Sequence, residues 1–581
     1  MRWIFRTFAV IGGLVVVAVC VGIAVAILTR ERVPERAVLL IDFEREAIEA
    51  VPQDALARLM LADRIVVRDL VDALDAAAGD DRVKAVIARI GGGHPVGMTQ
   101  EFRQAIERFR ASGKPAIAFA ETLGEVGPGN TGYYLAAAFD EIYLQESGDI
   151  GLVGLAANSP FVRGALDKLE LAPRLDHRYE YKNAMNTLTE RAFDEAHREA
   201  TAAIIESMFE VMSRDIAADR GLGEAEFRAL VDRGPYLGIE AVEAGLVDGL
   251  AYRDEVFSRV EELTGGKFET LGAARYLKVA GRPHEKGTGI ALIYGDGGVQ
   301  RGESGYSGLF GSSSMGSDTV TRAFREALED DDIEAILFRV DSPGGSYVAS
   351  DAIWRMTVKA REAGKPVVVS MGNVAASGGY FVAMASDRII AQPGTVTGSI
   401  GVVGGKFLTR DFWEENFGIT WDSVQTSANA TMYTGLYDYD EHGWARHQAW
   451  LDRVYEDFTD KVARGRGKSR DAVHEVAKGR VWTGTQALEN GLVDAVGGFA
   501  EARLALRESL GIASDAPLHI RIFPAEKPWY QQLLPGSGEA AAAAAAVQAL
   551  EQVQPAARLM RQVGVLGPPH ELELRAVPEI R

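Results

Sequence analysis

Cysteine is almost absent. Cys20 is the only one in 581 residues, so no intrachain disulfide and no thiolate metal cluster can form. Histidine is scarce as well, nine in all, and none of them sits in a recognisable catalytic triad segment. There is no G-x-S-x-G elbow, no S-x-x-K and no H-E-x-x-H, and no metal-ligand spacing is present. Gly467-Lys-Ser469 imitates the end of a phosphate-binding loop, but Val462 stands where the leading glycine belongs. Positive charge is in deficit. The 62 Lys and Arg face 82 Asp and Glu, a net charge of −20, with no local basic patch. Such a chain repels phosphate backbones, which excludes nucleic acid as a partner.

Long apolar runs are also missing, with one exception. Phe8 to Leu28 is a stretch of twenty-one residues, mostly Val, Ala, Ile, Leu and Gly, inside an uncharged segment from Thr7 to Thr29. At about 1.5 Å per residue a helix of that length crosses a bilayer. Arg2 and Arg6 precede it, consistent with a cytoplasmic amino end. Residues 1–32 are therefore expected to be an uncleaved single-pass anchor. The run is longer than a usual signal-peptide core, and Val19 before Cys20 is bulkier than a lipoprotein signal favours. The rest of the chain is expected outside the cytoplasm. With Cys20 inside the anchor, that external part holds no thiol, which leaves serine as the nucleophile to test.

What is present is a duplication. Arg82-Val-Lys-Ala-Val-Ile-Ala-Arg-Ile90 matches Asp332-Ile-Glu-Ala-Ile-Leu-Phe-Arg-Val340, and Gly113-Lys-Pro115 matches Gly364-Lys-Pro366. Gly132-Tyr-Tyr-Leu-Ala-Ala-Ala-Phe-Asp140 matches Gly379-Tyr-Phe-Val-Ala-Met-Ala-Ser-Asp387, and Gly245-Leu-Val-Asp248 matches Gly491-Leu-Val-Asp494. The blocks are collinear at a nearly constant offset, too long for a solenoid unit, so whole domains are repeated. Each copy reads as strands alternating with helices. The strands are Ala37–Phe43, Ala85–Ile90 and Pro115–Ala120 in one copy, and Gly289–Tyr294, Ala335–Val340 and Pro366–Met371 in the other. The helices are Val67–Ala78 and Thr99–Ser112, then Thr319–Glu329 and Ser350–Ala363. This pattern predicts an α/β fold with mainly parallel pairing. The expected organisation is a first copy over 35–280 and a second over 288–520, with Leu271 to Thr288 linking them. An Ala-rich extension occupies 524–581.

The copies differ where chemistry would sit. After the second strand, copy two has Asp341-Ser-Pro-Gly-Gly-Ser346, whereas copy one has Gly91-Gly-Gly-His-Pro-Val96. Pro95 brings no backbone N–H for an anion. After the third strand, copy two has Ala375-Ala-Ser-Gly-Gly-Tyr380 and copy one has Gly129-Asn-Thr-Gly-Tyr133, so Ser377 faces Asn130. A serine entering a helix meets unpaired N–H groups and the positive end of the dipole, although the same position suits a plain N-cap. The Gly378 N–H, with one from Gly344 or Gly345, could hold a developing oxyanion. With no histidine placed to serve, lysine is the other available base, provided burial lowers its pKa.

The S-P-G-G-S turn, the A-A-S-G-G-Y helix start and Thr397-Gly-Ser-Ile-Gly401 together resemble the signal peptide peptidase A family of serine peptidases (family S49) in its long duplicated form. The resemblance covers about residues 35–520. It implies two tandem copies of a ClpP/crotonase-type fold behind one transmembrane helix, and a Ser–Lys dyad whose serine comes from copy two and whose lysine comes from copy one. Tyr181-Lys182-Asn183-Ala184 is similar to the family's lysine segment, with Asn183 in place of the common serine. The step from Asn130 to Lys182, applied to Ser377, reaches Asn429, and no lysine lies between Lys406 and Lys461. One copy thus has the lysine without the serine, and the other has the serine without the lysine.

The resemblance further implies that Ser399 hydrogen-bonds the lysine amine, where copy one has Leu152. It implies no cofactor, a homotetramer, and a site facing the periplasm from a bacterial inner membrane. The expected activity is cleavage of remnant signal peptides and other short apolar peptides. Two rivals share the scaffold: a crotonase-like enzyme acting on acyl-CoA, and an inactive assembly module at the membrane. The dyad requires Ser377 Oγ and Lys182 Nζ within about 5 Å.

Overall fold

The computed structural model describes residues 32–52, 55–307 and 312–525. The expected anchor and the Ala-rich extension lie outside these residues, apart from Arg32, Pro524 and Ala525. Among the described residues no helix is long and apolar enough to cross a membrane.

One parallel six-strand topology occurs twice, as the whole copy-one sheet and within an eight-stranded copy-two sheet that adds Val396–Gly398 and an antiparallel Val481–Thr483. In copy one the order is Gly249–Leu250, Glu141–Leu144, Ala116–Ala120, Val83–Arg89, Ala37–Asp42, Glu269–Gly272. In copy two it is Ala495–Val496, Arg388–Ala391, Val367–Ala376, Ala335–Ser342, Thr288–Asp296, Leu518–Phe523. The central strands are continuous Val, Ile, Leu and Ala runs because both their faces are covered in copy two, and one face and part of the other in copy one. The Val67–Ala78 helix has the expected ends, whereas the helix expected at Thr99–Ser112 begins and ends earlier, at Val96–Arg110.

Two departures matter. The Leu271–Thr288 segment is not a plain connection. Leu271 lies in a strand that pairs with Ala37–Leu40, and Ala273–Ala280 is a helix. A four-residue strand carries too little periodicity to be read. The second departure is the Val367–Ala376 strand, which runs five residues beyond Met371. It continues because Val374–Ala376 finds a new parallel partner, Val396–Gly398, and the Val374 N–H is held by Asp341 Oδ1 at 2.9 Å. That extension delivers Ser377.

The copies share a core. One apolar cluster contains Leu39, Val86 and Phe102 of the first copy with Leu337, Val368, Ile390 and Phe499 of the second. The Val96–Arg110 helix of copy one lies against the copy-two sheet. There Glu101 and Glu49 meet the buried Arg339 guanidinium, at 3.2 and 2.9 Å. An antiparallel pair crosses between copies as well, with Ala172–His177 of copy one against Val403–Leu408 of copy two.

Candidate active site

Ser377 stands between the end of the Val367–Ala376 strand and the Gly378–Ala383 helix. Its N–H donates to Gly398 O at 2.9 Å, and its φ of 54° puts a non-glycine residue in the left-handed region. Such strain persists only where surrounding contacts impose it. Here the contacts are close. A Cβ on Gly379 would lie 2.4 Å from Ser342 O, and one on Gly378 would lie 2.6 Å from Ser350 Oγ. Only glycines permit the helix to start this near the Ser342–Ser346 turn.

The turn is pinned to Val299. Gly344 O accepts from Val299 N, and Ser346 N donates to Val299 O, both at 2.8 Å. The Gly344 N–H donates to Ser342 Oγ at 3.2 Å. Gly344 therefore does not supply an oxyanion donor, contrary to one of the two options its sequence left open. Its part is steric, because a Cβ there would lie 2.8 Å from Ser377 Cβ. The Gly345 and Gly378 N–H groups have no protein partner among the described residues. Gly345 N would lie 3.0 Å from a Cβ on Gly378, so the two donors sit beside one another.

Lys182 reaches this point from copy one. The Ala172–His177 strand, paired with Val403–Leu408, carries the chain across, and a tight turn follows in which Lys182 N donates to Tyr179 O at 3.3 Å. The alkyl chain passes Gly401 and Gly479. A Cβ on Gly401 would lie 3.1 Å from Lys182 Cδ, and one on Gly479 would lie 2.5 Å from Lys182 Cα. The amine contacts three oxygens: Ser377 Oγ at 3.2 Å, Ser399 Oγ at 2.8 Å and Ser399 O at 2.7 Å. Lys182 is 3% exposed, and burial pushes its pKa down to about 7. A neutral amine has two N–H donors and one lone pair. Two donors to Ser399 leave the lone pair for the Ser377 O–H.

The structure thus brings Ser377, Lys182, Ser399, Gly345 and Gly378 to one place. Ser399 also has a positive φ, 51°, and its N–H donates to Arg480 O at 2.7 Å. Asn183, the departure from the family pattern, leaves its Oδ1 buried without a partner among the described residues. Sequence reasoning missed Val299, Gly479 and Arg480. Each acts through backbone approach or a contact distant in sequence, and no local pattern marks it.

Comparison with known proteins gives the family. The model of "Peptidase family S49" matches residues 108–267 and 359–513. "Serine protease SPPA, chloroplastic" of Arabidopsis thaliana is 31% identical over 442 residues, 73% of this chain and 63% of that protein. "Protease 4" of Haemophilus influenzae is 31% identical over 478 residues, 78% of this chain and 74% of that protein. Among solved structures, a mutant ClpP1 from Listeria monocytogenes aligns at 14% identity and a TM-score of 0.23, over 37% of this chain and 93% of that one. The chain belongs to peptidase family S49 and is a serine peptidase.

Proposed function

We propose that the protein is a membrane-anchored endopeptidase working through a Ser377–Lys182 dyad and an acyl-enzyme. The observation that carries this reading is the 3.2 Å contact between Ser377 Oγ and an amine held near neutrality by burial. Ser377 Oγ attacks the peptide carbonyl carbon, and its proton passes to Lys182 Nζ. The carbonyl oxygen takes the negative charge, facing the Gly345 and Gly378 N–H groups. The C–N bond breaks as the Lys182 ammonium protonates the leaving amine. Water then attacks the ester and gives its proton to Lys182. The acid product leaves as Ser377 recovers a proton from the lysine. Ser399 holds the amine through two of its oxygens.

Substrates are short, extended, apolar peptides near a membrane, remnant signal peptides foremost. An anchor at residues 1–32 would place the site beside the bilayer, on the periplasmic side of a bacterial inner membrane. The family resemblance that implies these substrates also implies a homotetramer, and a head-to-tail ring suits the fold. Copy-one helices cover one face of the copy-two sheet. The equivalent face of the copy-one sheet, with Leu40, Ile87 and Phe119, opens instead into a cavity of about 680 Å³. A second copy of the chain would fill it with copy-two helices. Light scattering on the detergent-solubilised protein should give four protomers, and a monomer would remove the ring.

The deciding experiment is cleavage of a fluorogenic apolar peptide by Ser377→Ala and Lys182→Ala, with labelling by a serine-reactive phosphonate. Both variants should be inactive, and the label should sit on Ser377. Appreciable activity in either variant ends the dyad reading.

A further inference from the structure

The lysine comes from one copy and its partners from the other, so something must fix the lysine turn against the serines. The Lys478-Gly479-Arg480 bend of copy two touches both sides. Toward the serines, Ser399 N donates to Arg480 O at 2.7 Å and Gly479 N donates to Ile400 O at 2.9 Å. Toward the lysine, Tyr181 N donates to Lys478 O at 3.1 Å, and Gly479 lies directly against the Lys182 backbone. Lys478 itself takes a φ of 53°, a cost that the surrounding bonds must offset.

The Arg480 side chain adds a second grip on copy one. Its guanidinium lies over the Tyr181 ring at 4.9 Å and over the Trp482 ring at 4.3 Å, between the two copies. It also pairs with Glu199 on the long Glu195–Arg220 helix of copy one, at 2.7 Å. The ion pair is partly exposed and worth little alone. The stack is different, because Tyr181 is the residue before Lys182. A planar cation filling the space between Tyr181 and Trp482 restricts how the lysine turn can move.

We propose that Arg480 is a positioning residue for the reaction: from copy two it fixes the lysine-bearing turn of copy one over Ser399 and keeps water from the amine. This deepens the dyad reading and rests on it. Arg480 does not touch the reacting atoms. It acts through Tyr181 and the backbone of Ser399.

The test is the pH dependence of kcat and KM for the full-length enzyme with a fluorogenic peptide, in Arg480→Ala, Arg480→Lys and Glu199→Gln. Arg480→Ala should lower kcat at pH 7 by about tenfold or more and leave KM within about twofold. Water admitted to the amine raises the lysine pKa, so the acid limb should move up by about one pH unit. Part of the loss should then return at pH 9. Arg480→Lys keeps a charge for Glu199 but loses the planar stack, so it should fall between. Glu199→Gln should give the smallest shift, in the same direction. An acid limb unmoved in Arg480→Ala overturns the proposal, whatever happens to kcat. If that variant does not fold, the other two decide by the same readout. Lys182→Ala in the same assay separates the two ideas. Activity there removes the dyad, whereas an inactive Lys182→Ala beside an unmoved limb removes only the role of Arg480.

Discussion

The two copies keep one scaffold and treat the same corner of it in opposite ways. In copy two, Ser377 and Ser399 are both held at positive φ, and two N–H groups at Gly345 and Gly378 are without protein partners among the described residues. In copy one the corner is closed. Asn130 lies within the helix that begins there, and its side chain accepts from Val153 N and Gly154 N, each at 3.0 Å, while donating to Gly154 O at 2.8 Å. The His94 ring packs against Phe43 and Phe102, and burial pushes its pKa down to about 4. Leu152 is buried where copy two has Ser399. The positive φ of Ser377 and Ser399 is found where the chemistry is proposed and is lost at their copy-one counterparts Asn130 and Leu152, as expected if that strain is kept for function.

That contrast can be broken. The largest effect should come from moving the site rather than removing it. Ser377→Ala combined with Asn130→Ser should stay inactive, at least about 10³-fold below the native enzyme, because a dyad built on residue 130 would need its own lysine. Measurable turnover by the double variant would show that copy one is only masked. Next is Gly345→Ala. A Cβ there would lie 2.2 Å from Val299 O, so the turn must shift and the oxyanion donor with it. A fall of about 10²-fold in kcat, with KM little changed, is expected in steady-state assays. Ser399→Ala removes one of the two oxygens holding the amine and should cost about tenfold in kcat.

Stability should invert the ranking. The Lys182 pKa is lowered on folding, so the unfolded chain binds more protons between about pH 7 and the ordinary lysine range. The penalty is fully present below pH 7 and shrinks as pH rises through that window. Lys182→Met should therefore be inactive yet melt higher at pH 7, with the gain fading toward pH 10.5. Calorimetry at several pH values checks this, and an equal or lower melting point at pH 7 would contradict it. The smallest effect belongs to copy one. Asn130→Ala leaves the Val153 and Gly154 N–H groups unpaired, costing about 1–3 kcal/mol in denaturant unfolding while activity is unchanged.

Much of this was legible in the sequence because the duplication supplies an internal control. Setting Ser377 against Asn130, and Lys182 against Asn429, needs only a constant offset. The alternation of strands and helices follows from short Val, Ile, Leu and Ala runs set between amphipathic stretches. What could not be read depends on contacts between distant segments. Gly344 and Gly345 are adjacent and chemically identical, and only the folded turn, in which Ser342 Oγ takes the Gly344 N–H, decides which N–H stays free. The Ala172–His177 pairing with Val403–Leu408 joins two polar, weakly periodic segments that declare no partner. Arg480 looks like any surface arginine until Tyr181 and Glu199 arrive from the first copy.

The strand shared between copies bears on the order in which the protein is made. Lys182 is synthesised nearly two hundred residues before Ser377, and the Val403–Leu408 strand that seats the lysine comes later still. On the dyad reading, a growing chain carries a base without a nucleophile, then both without the pairing that unites them. Proteolytic power then arrives in one step, after synthesis of the second copy has passed residue 480. A fragment released earlier, or a chain cut between the copies before they dock, has nothing with which to digest itself or its neighbours.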